Sequence, residues 1–464
     1  MLKRITLDEF LPDRPLSVLT AKNVYPMIDG YRPARQFQGL TPALAGILGG
    51  AAFRASDGSA TFLAGTASDL YRYSGGAWSS LMTGLTASVW RFDQFSDLAV
   101  GVNGNQPIQV NLLTGTASNL TGVPNGDILA TVRQQLFIAG VADAQNVVYI
   151  SGYLDPTGWT EGVNQSLRVP FENGGPIMGL AGGETGIILQ RGAVRRATYT
   201  GDVTVWQFDE ISREIGCMAK GSVATAGSTV FFLSEQGFMA CDRTQVVPIG
   251  REKVDRTFFS TYSREDIANI RSAIDPRATT VYWAMPGNPG QIWAYDWSLG
   301  KWSVIELPLS LVFSGFTANT SIDALDTLYP GGIDTIPVSL DDPQFAGGNP
   351  LFLVAQVDGT VGTLTGDNMA VEFVLKPFEL GDGSRARIRG ARVVSDAIHG
   401  TVMVDVRARA GDPQHLVTSG TIRDNGRVPL RANGRHVGVE IDIPSHEWTY
   451  ALGVDLEYEE AGSR

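Results

Sequence analysis

A pair of short apolar runs recurs along most of the chain. In each copy the first run is almost wholly apolar, a turn follows, and the second run often carries aromatic residues. Such runs are typical of short strands, and an all-apolar run is typical of a strand that is buried on both faces. The first runs of the seven copies span residues 61–65, 98–101, 136–140, 186–190, 230–234, 281–285 and 351–355.

The copies are spaced like the blades of a β-propeller. Successive marker residues lie 36, 38, 51, 44, 51 and 70 positions apart, the markers being Phe62, Leu98, Leu136, Ile187, Phe231, Tyr282 and Phe352. Most intervals fall near the ~40–50 residues of one blade, and blades stacked in a closed ring bury faces that one blade alone cannot bury. The pattern predicts an all-β fold with a seven-bladed β-propeller over residues 51–368. Residues 1–50 are expected to pack on the propeller or to complete a blade.

Two turns rich in aromatic residues support this interpretation. The segments from Tyr73 to Trp78 and from Asp296 to Trp302 share one layout, in which a strand ends, glycine turns the chain, and a tryptophan starts the next strand. The shared layout indicates equivalent hairpins at two distant points of the repeat.

One segment between the fifth and sixth copies departs from the strand pattern. Within residues 252–274, Ser263 can cap a helix and Asp266 stands at its third position, as in a capping box. Apolar residues then recur at the spacing of one helix face, at Ile267, Ile270 and Ile274. We therefore expect a helical insertion here.

A second departure is the long segment 318–350, which predicts an extended acidic loop before the last copy. Loops of this length in a compact domain usually bind something or are disordered, and both alternatives stay open. If the loop forms an interface, its candidate contact residues are Asp323, Asp326, Asp334, Asp341 and Asp342.

From about residue 369 apolar and polar residues alternate, as in strands with one buried and one solvated face. Turns at 381–383 and 424–426 separate some of these strands. This predicts a C-terminal domain, residues 369–464, folded as an antiparallel β-sandwich. The predicted strands span residues 371–375, 386–394, 401–409, 436–443 and 452–458.

Three arginines alternate over residues 384–390, where the second of these strands begins, and therefore share one strand face: Arg385, Arg387 and Arg389. They are candidates for contact with an acidic partner surface or with DNA phosphates. The alternative is an exposed, charged strand face without a ligand.

Charge and composition narrow the function classes. The formal net charge is −12 and the pI is about 4.9, which argues against a general nucleic-acid coat but leaves room for a local basic patch. Cys217 and Cys241 fit buried small hydrophobes in a reducing cytoplasm. No signal peptide is apparent, and the apolar run 43–53 is too short and glycine-rich to span a bilayer.

The sequence lacks the usual catalytic motifs: we find no HExxH, no P-loop and no GxSxG. All histidines lie in the predicted C-terminal domain, so the propeller cannot hold a histidine triad or a histidine-ligated metal. We predict no catalytic residue, no metal and no cofactor. Arg191, Arg195 and Arg196 could imitate the arginine cluster of a sialidase, but solvated arginines are the simpler alternative, and the turn after Tyr73 has glycine where the sialidase Asp-box has aspartate.

Short motifs in chain order resemble one family of virus proteins. The opening reads 22–26 (KNVYP), 30–32 (GYR) and 37–40 (FQGL), and 100–104 (VGVNG) and 215–219 (IGCMA) follow in the second and fifth copies. With the helical segment and the strand–turn–tryptophan unit ending at Trp302, this order resembles the packaged-DNA stabilisation proteins of short-tailed bacteriophages. Those proteins are the tail accessory hub between the portal/adaptor and the tail tip.

The resemblance implies a virion protein of the tail, assembled in the bacterial host cytoplasm. It would form a homo-oligomeric ring, expected to be hexameric, that contacts the portal/adaptor and the tail tip or fibre proteins. The ring would help retain packaged DNA and form its exit conduit, with non-specific DNA contact and neither membrane contact nor catalysis. Two alternatives stay open: a tail fibre or polysaccharide-binding propeller with a concave aromatic patch, and a carbohydrate-active enzyme with clustered carboxylates near the propeller axis.

Overall fold

The computed structural model describes residues 1–14, 18–202, 204–275, 277–316, 332, 350–380, 384–409, 411–412, 416–423 and 425–461. Strands dominate these residues and helices are few and short, so the predicted all-β class is confirmed. Over the same ranges, no helix has the length and apolar character that crossing a membrane requires.

The chain begins with five short strands that do not form a sheet of their own. Each pairs with a strand from much later in the chain or joins a sheet that contains one. They are β1 (Leu2–Thr6), β2 (Val18–Lys22), β3 (Val24–Met27), β4 (Gly30–Pro33) and β5 (Arg35–Gly39).

Five antiparallel sheets of four strands each follow, in which sequential strands are neighbours. The first two sheets are β6 (Gly49–Arg54), β7 (Ala60–Gly65), β8 (Leu70–Ser74), β9 (Ala77–Met82) and β10 (Arg91–Phe95), β11 (Leu98–Val102), β12 (Ile108–Asn111), β13 (Ala117–Asn119). The next two are β14 (Ile128–Val132), β15 (Gln135–Ala139), β16 (Val147–Ile150), β17 (Leu167–Pro170) and β18 (Ile177–Ala181), β19 (Gly186–Gln190), β20 (Val194–Tyr199), β21 (Trp206–Ser212). The fifth is β22 (Ala224–Ala226), β23 (Thr229–Ser234), β24 (Gly237–Cys241), β25 (Val246–Pro248).

Two further groups of four strands complete this part of the molecule. The first contains β26 (Arg271–Asp275), β27 (Thr280–Met285), β28 (Gly287–Asp296) and β29 (Lys301–Leu309). The second contains β30 (Leu311–Phe316), β31 (Pro350–Ala355) and β32 (Val361–Asn368), and its fourth strand is β5 from the N-terminus. Gly39 lies opposite Gly362 and Gln38 opposite Thr363, so residues 35–39 complete this sheet. Completing a sheet in this way is one of the two roles expected for the N-terminal segment.

The remaining strands form two larger sheets. They are β33 (Val371–Glu379), β34 (Ala386–Ser395), β35 (Thr401–Arg407), β36 (Leu416–Thr421), β37 (Arg427–Gly434), β38 (His436–Ile443) and β39 (Ala451–Glu460). One sheet runs β3-β4-β39-β34-β37, with β1 also on β39, and the other continues from β29 through β2, β33, β38 and β35 to β36. Val402 and Ile441 of one sheet share a buried core with Val428 and Leu456 of the other, so the two sheets pack face to face.

The predicted strand pairs are the second and third strands of each four-stranded group. The first strands were not predicted from the sequence: β6, β10, β14, β18, β22, β26 and β30. Neighbouring first strands contact one another in chain order, and the last of them, β30, contacts β6. Between β18 and β22 the contact is made by Val223, just before β22, whose Cγ2 lies 2.7 Å from where a Cβ on Gly179 of β18 would stand. Neighbouring groups also share buried apolar clusters all the way round.

The predicted helix over 252–274 is wrong in extent. The structure has two short helices, α1 (Asp255–Thr261) and α2 (Arg264–Ala268), and the capping box between Ser263 and Asp266 is present. Asn269 ends α2, and β26 then pairs with β27. Ile274 is therefore buried on a strand rather than on a helix face, because ladder hydrogen bonds replace a further helical turn.

The N-terminal segment also supplies the cap that α1 lacks. The Asp13 carboxylate accepts hydrogen bonds from the backbone N–H groups of Arg256 and Thr257 at 2.7 and 2.9 Å. Lys253, just before the helix, donates to Glu9 at 2.8 Å. A carboxylate stabilises a helix N-terminus because the first N–H groups have no partner within the helix.

Asp255, the first residue of α1, has a buried carboxylate. Its Oδ1 accepts a hydrogen bond from the backbone N–H of Phe238 at 3.1 Å, while Oδ2 is buried without a partner among the described residues. Burial, opposed in part by the Phe238 hydrogen bond, raises the pKa of Asp255 to about 6. The folded protein therefore holds this proton more tightly than the unfolded chain does.

We expect Asp255→Asn to remove a pH-dependent loss of stability. Because the folded pKa lies above the unfolded value of about 4, wild-type stability falls as the pH rises from about 4 through 6. The melting temperature of the variant relative to wild type should therefore be higher at pH 7.5 than at pH 4.5, as measured by circular dichroism. The exposed Asp29→Asn is the control, and an Asp255→Asn difference that does not change with pH would contradict the prediction.

Candidate functional site

A cavity of about 260 Å³ lies where the first strands of the four-stranded groups begin. We call it the inner-strand cavity. Its wall is mostly apolar or glycine, from Gly49 and Trp90 to Leu180 and Phe313. Three cationic side chains interrupt this wall: Arg91, Lys220 and Arg271.

Arg91 and Lys220 share one carboxylate beside the cavity. Lys220 Nζ lies 2.9 and 2.7 Å from the two carboxylate oxygens of Asp127. Arg91 Nη1 donates to the Asp127 carbonyl oxygen at 2.6 Å and lies 3.9 Å from its Oδ2. All three side chains are at least 70% shielded from solvent, so this is a partly buried ion cluster rather than a surface pair.

Arg271 also lines the cavity, close to the turn that contains Lys220. Its Nη1 donates to the carbonyl oxygens of Asn269 and Ile270 at 3.1 and 3.0 Å. It also lies 3.2 Å from the Cβ position of Gly221. No carboxylate of a described residue forms an ion pair with Arg271 within 4.0 Å, and burial lowers its pKa. Burial and the nearby Arg271 charge likewise lower the pKa of Arg91, against the opposing effect of Asp127.

The sequence analysis did not find these three residues. Arg91 is the first residue of β10, Arg271 is the first residue of β26, and Lys220 lies in a 3₁₀ turn (Lys220–Ser222) just before β22. They occupy comparable positions at one end of three first strands. In the sequence, each of these basic residues stands at or just before the first strand of a group. That position becomes visible only once the first strands are known.

The charge of the cavity bears on the enzyme alternative. A carbohydrate-active propeller would place clustered carboxylates near the axis. The described lining residues of the inner-strand cavity include no aspartate or glutamate, and the nearest carboxylate identified, Asp127, is bound to Lys220. Asp93, two residues after Arg91, uses its carboxylate on the backbone N–H groups of Gln94 and Thr131.

The three predicted contact arginines lie exposed on one face of the C-terminal part of the structure. Arg387 and Arg389 alternate along β34 with buried residues, and Arg385 precedes the strand. Acidic residues of β39 run beside them: Glu459 lies opposite Arg387 and forms an ion pair with Arg389. Their predicted partner, an acidic surface or DNA, stays a prediction.

The other arginine cluster is fully paired within its own neighbourhood. Arg195 bonds Glu210 at 2.9 Å and Arg196 bonds Asp209 at 2.9 Å, both across β20 and β21. Arg191 lies 3.3 Å from Glu235. These guanidinium groups are held by protein carboxylates, and Arg195 is too buried to count as a solvated arginine.

The five aspartates predicted as contact residues of the acidic loop lie outside the described residues. The same holds for His415 and for the predicted turn at 381–383. Among the described histidines, the rings of His399 and His446 are 5.4 Å apart, and His436 lies 3.3 Å from Glu379. Within the described ranges, no group of three or more His, Cys, Asp or Glu residues could hold a metal ion.

Both cysteines are buried and free, as the sequence predicts. They share one apolar cluster with Ile187 and Phe232, and burial raises the pKa of Cys217 to about 11. The thiolate is the reactive form of cysteine, so neither thiol is suited to redox chemistry in the folded protein.

We expect the thiols to be unreactive until the protein unfolds. At pH 8 in buffer, a disulfide reagent such as Ellman's reagent should label Cys217 and Cys241 slowly. In guanidinium chloride, which unfolds the protein, it should label both cysteines rapidly. Absorbance of the released thiolate measures both rates. Rapid labelling of one thiol in buffer would show that its cluster opens locally.

No protein-family model and no curated protein matches the chain. Among solved structures, U3-55K is similar at 9% sequence identity with a TM-score of 0.39, over 60% of this chain and 87% of that one. The WD40 repeats of RRP9 are similar at 10% identity with a TM-score of 0.41, over 61% and 88%. The extracellular domain of a hybrid two-component system from B. thetaiotaomicron matches at 10% identity with a TM-score of 0.44, over 79% of this chain and 44% of that one. Similarity at this level carries no argument about what the chain does.

Proposed function

We propose that the chain is a non-catalytic structural component of a bacteriophage tail, a hub that joins the portal/adaptor to the tail tip. Its fold in this proposal is a seven-bladed β-propeller with a C-terminal β-sandwich. The seven four-stranded groups, the cyclic contacts of their first strands and the shared clusters between neighbours support the propeller. The two sheets that pack through Val402 and Val428 support the sandwich.

The observation that carries the proposal is the path of the first 39 residues. β1 pairs with β39, β2 joins β29 to β33, β3 and β4 extend the sheet of β39, and β5 closes the group of β30 to β32. Lys22 lies opposite Val304 on one side and Glu372 on the other. The N-terminal segment thus joins the propeller-like groups to the C-terminal sheets by strand pairing. Such pairing makes the chain rigid, and a structural protein that transmits force within a virus particle requires this rigidity.

Two observations count against the alternatives. Tyr450, at 37% exposure, is the one aromatic side chain among the residues of described burial that is largely exposed, whereas a polysaccharide-binding face needs an aromatic platform. The inner-strand cavity presents cations instead of the carboxylates that glycoside hydrolysis needs.

The size of the inner-strand cavity also constrains the DNA conduit. The cavity, about 260 Å³ in volume, is lined by residues at the start of the first strands of all seven groups. A DNA duplex does not fit there, so in this proposal the conduit lies between copies of the chain in a ring. Arg387, exposed and without an ion pair among the described residues, is a candidate contact on the outer surface.

Mass photometry of the purified full-length chain, alone and with the portal–adaptor complex encoded by the same genome, tests the proposal. We expect six chains of 49.8 kDa to assemble, giving either particles of about 300 kDa from the chain alone or a mass increase of about 300 kDa on the portal–adaptor complex. Arg387→Glu should weaken portal binding if the arginine face contacts an acidic partner, with the exposed Arg264→Glu as matched control. A chain that stays monomeric and ignores the portal, or one that releases reducing sugars from a polysaccharide, would overturn the hub.

A further inference from the structure

The inner-strand cavity concentrates positive charge inside an acidic protein. Arg91, Lys220 and Arg271 line it, and Asp127 is the one carboxylate of a described residue that pairs with any of them. Two positive charges are therefore uncompensated at this site, although the whole chain carries a formal charge of −12. Partly buried cations without partners are costly, because the apolar wall replaces water that would otherwise solvate them.

The unused N–H groups of these cations can reach a ligand in the cavity. A guanidinium has five donors, and Arg271 uses only Nη1 in the hydrogen bonds found among the described residues. Arg91 likewise uses only Nη1, on Asp127. None of the remaining donors is among the buried polar atoms without a partner, and both residues line the inner-strand cavity.

We propose that the inner-strand cavity binds a small tetrahedral oxyanion of the phosphate type between Arg91, Lys220 and Arg271. Guanidinium groups present paired donors that match two oxygens of such an anion, and an ammonium adds a compact charge. The apolar wall strengthens this attraction by lowering the local dielectric. Since the cations come from β10, the turn before β22, and β26, the anion would link three separate four-stranded groups.

The cavity has room for a small anion. Its volume of about 260 Å³ is larger than that of one inorganic phosphate ion. Asp93, the other carboxylate on β10, is engaged by backbone N–H groups of Gln94 and Thr131 and so leaves the positive charge of Arg91 available. The excess of positive charge therefore favours a multiply charged oxyanion over chloride.

Equilibrium dialysis with ³²P-labelled inorganic phosphate and thermal melts at constant ionic strength test the proposal. We expect saturable binding of one phosphate per chain, and a melting temperature that rises with phosphate but not with sodium chloride. Arg271→Met should weaken phosphate affinity by about tenfold or more, because it removes charge-assisted hydrogen bonds. Arg271→Lys should weaken it less, and the exposed Arg264→Met should leave it unchanged.

Two outcomes would overturn the proposal: phosphate that stabilises the protein no more than chloride does, or wild-type affinity in folded Arg271→Met. If that variant does not fold, wild type and Arg271→Lys still decide, because absence of saturable binding by wild type is sufficient. A crystal soaked in tungstate should show the heavy anion among the three cations, and tungstate bound only elsewhere would also overturn it. The result is independent of the hub proposal, since a monomer that binds phosphate leaves this inference intact.

Discussion

Replacement of Trp283 by alanine is expected to lower the free energy of unfolding by about 3–5 kcal/mol. Trp283 lies on β27 with no exposed surface. Its ring centroid is 4.6 Å from that of Phe238 and 5.6 Å from that of Trp302, and its indole N–H donates to the carbonyl oxygen of Ser222 at 2.8 Å. Truncation leaves a cavity where β24, β27 and β29 meet and also leaves the Ser222 carbonyl without its donor.

Chemical denaturation monitored by circular dichroism measures this loss. Trp283→Phe keeps most of the packing and loses the indole hydrogen bond, so it should cost about 1–2 kcal/mol. Trp78→Ala is the matched tryptophan control, because Trp78 is only partly buried at the edge of β9 and should cost less than Trp283→Ala. Equal losses at Trp283 and Trp78 would show that the buried cluster does not dominate stability.

The fold could be predicted from the sequence where burial is complete and the signal is local. The second strand of each group is nearly all apolar, as in β23 and β27, and a turn with a further short run after it identified the third strand. Some first strands escaped because they are short or mixed: β22 has three residues, and β10 combines Arg91 and Asp93 with phenylalanines. Others, such as β14 and β18, are as apolar as the second strands and were still not predicted. Their pairing is decided by the neighbouring hairpin rather than by their own composition.

A further local signal was present and was not used. Aspartate followed two positions later by serine or threonine marks five turns, and in each the carboxylate accepts the backbone N–H of that later residue. This arrangement stabilises a tight turn at the position of the aspartate. The five aspartates are Asp57, Asp155, Asp242, Asp296 and Asp358.

The candidate site could not be predicted from the sequence, because only the closed arrangement brings its residues together. Arg91 and Arg271 are 180 positions apart in the chain and belong to different groups of strands. The N-terminal strands pose the same problem: the parallel contact between Lys22 and Val304 has no local signal. Long-range pairing of this kind depends on the whole fold, whereas periodicity reports only on neighbours in the chain.

Replacement of Gly362 by valine is expected to open the seam between the N-terminus and the last four-stranded group. Gly362 lies on β32 opposite Gly39 of β5. A Cβ here would collide with the carbonyl oxygen of Gln38 and lie 2.7 Å from its carbonyl carbon. Backbone cannot move aside as a side chain can, so β5 must separate from β32. We expect a loss of about 3 kcal/mol in the free energy of unfolding.

Limited proteolysis distinguishes an opened seam from general destabilisation. Once β5 detaches, trypsin should cut after Arg35 well below the melting temperature, and mass spectrometry should detect the released N-terminal segment. Gly39→Ala is the matched control, because its Cβ would meet side chains and not backbone: the methyl carbon of Thr360 at 3.0 Å and a ring carbon of Phe37 at 3.8 Å. A detached β5 also leaves two unpaired strand edges, which favour aggregation, so Gly362→Val should lose regular assembly as well. Wild-type resistance to trypsin in folded Gly362→Val would mean that pairing of β5 with β32 does not close the structure.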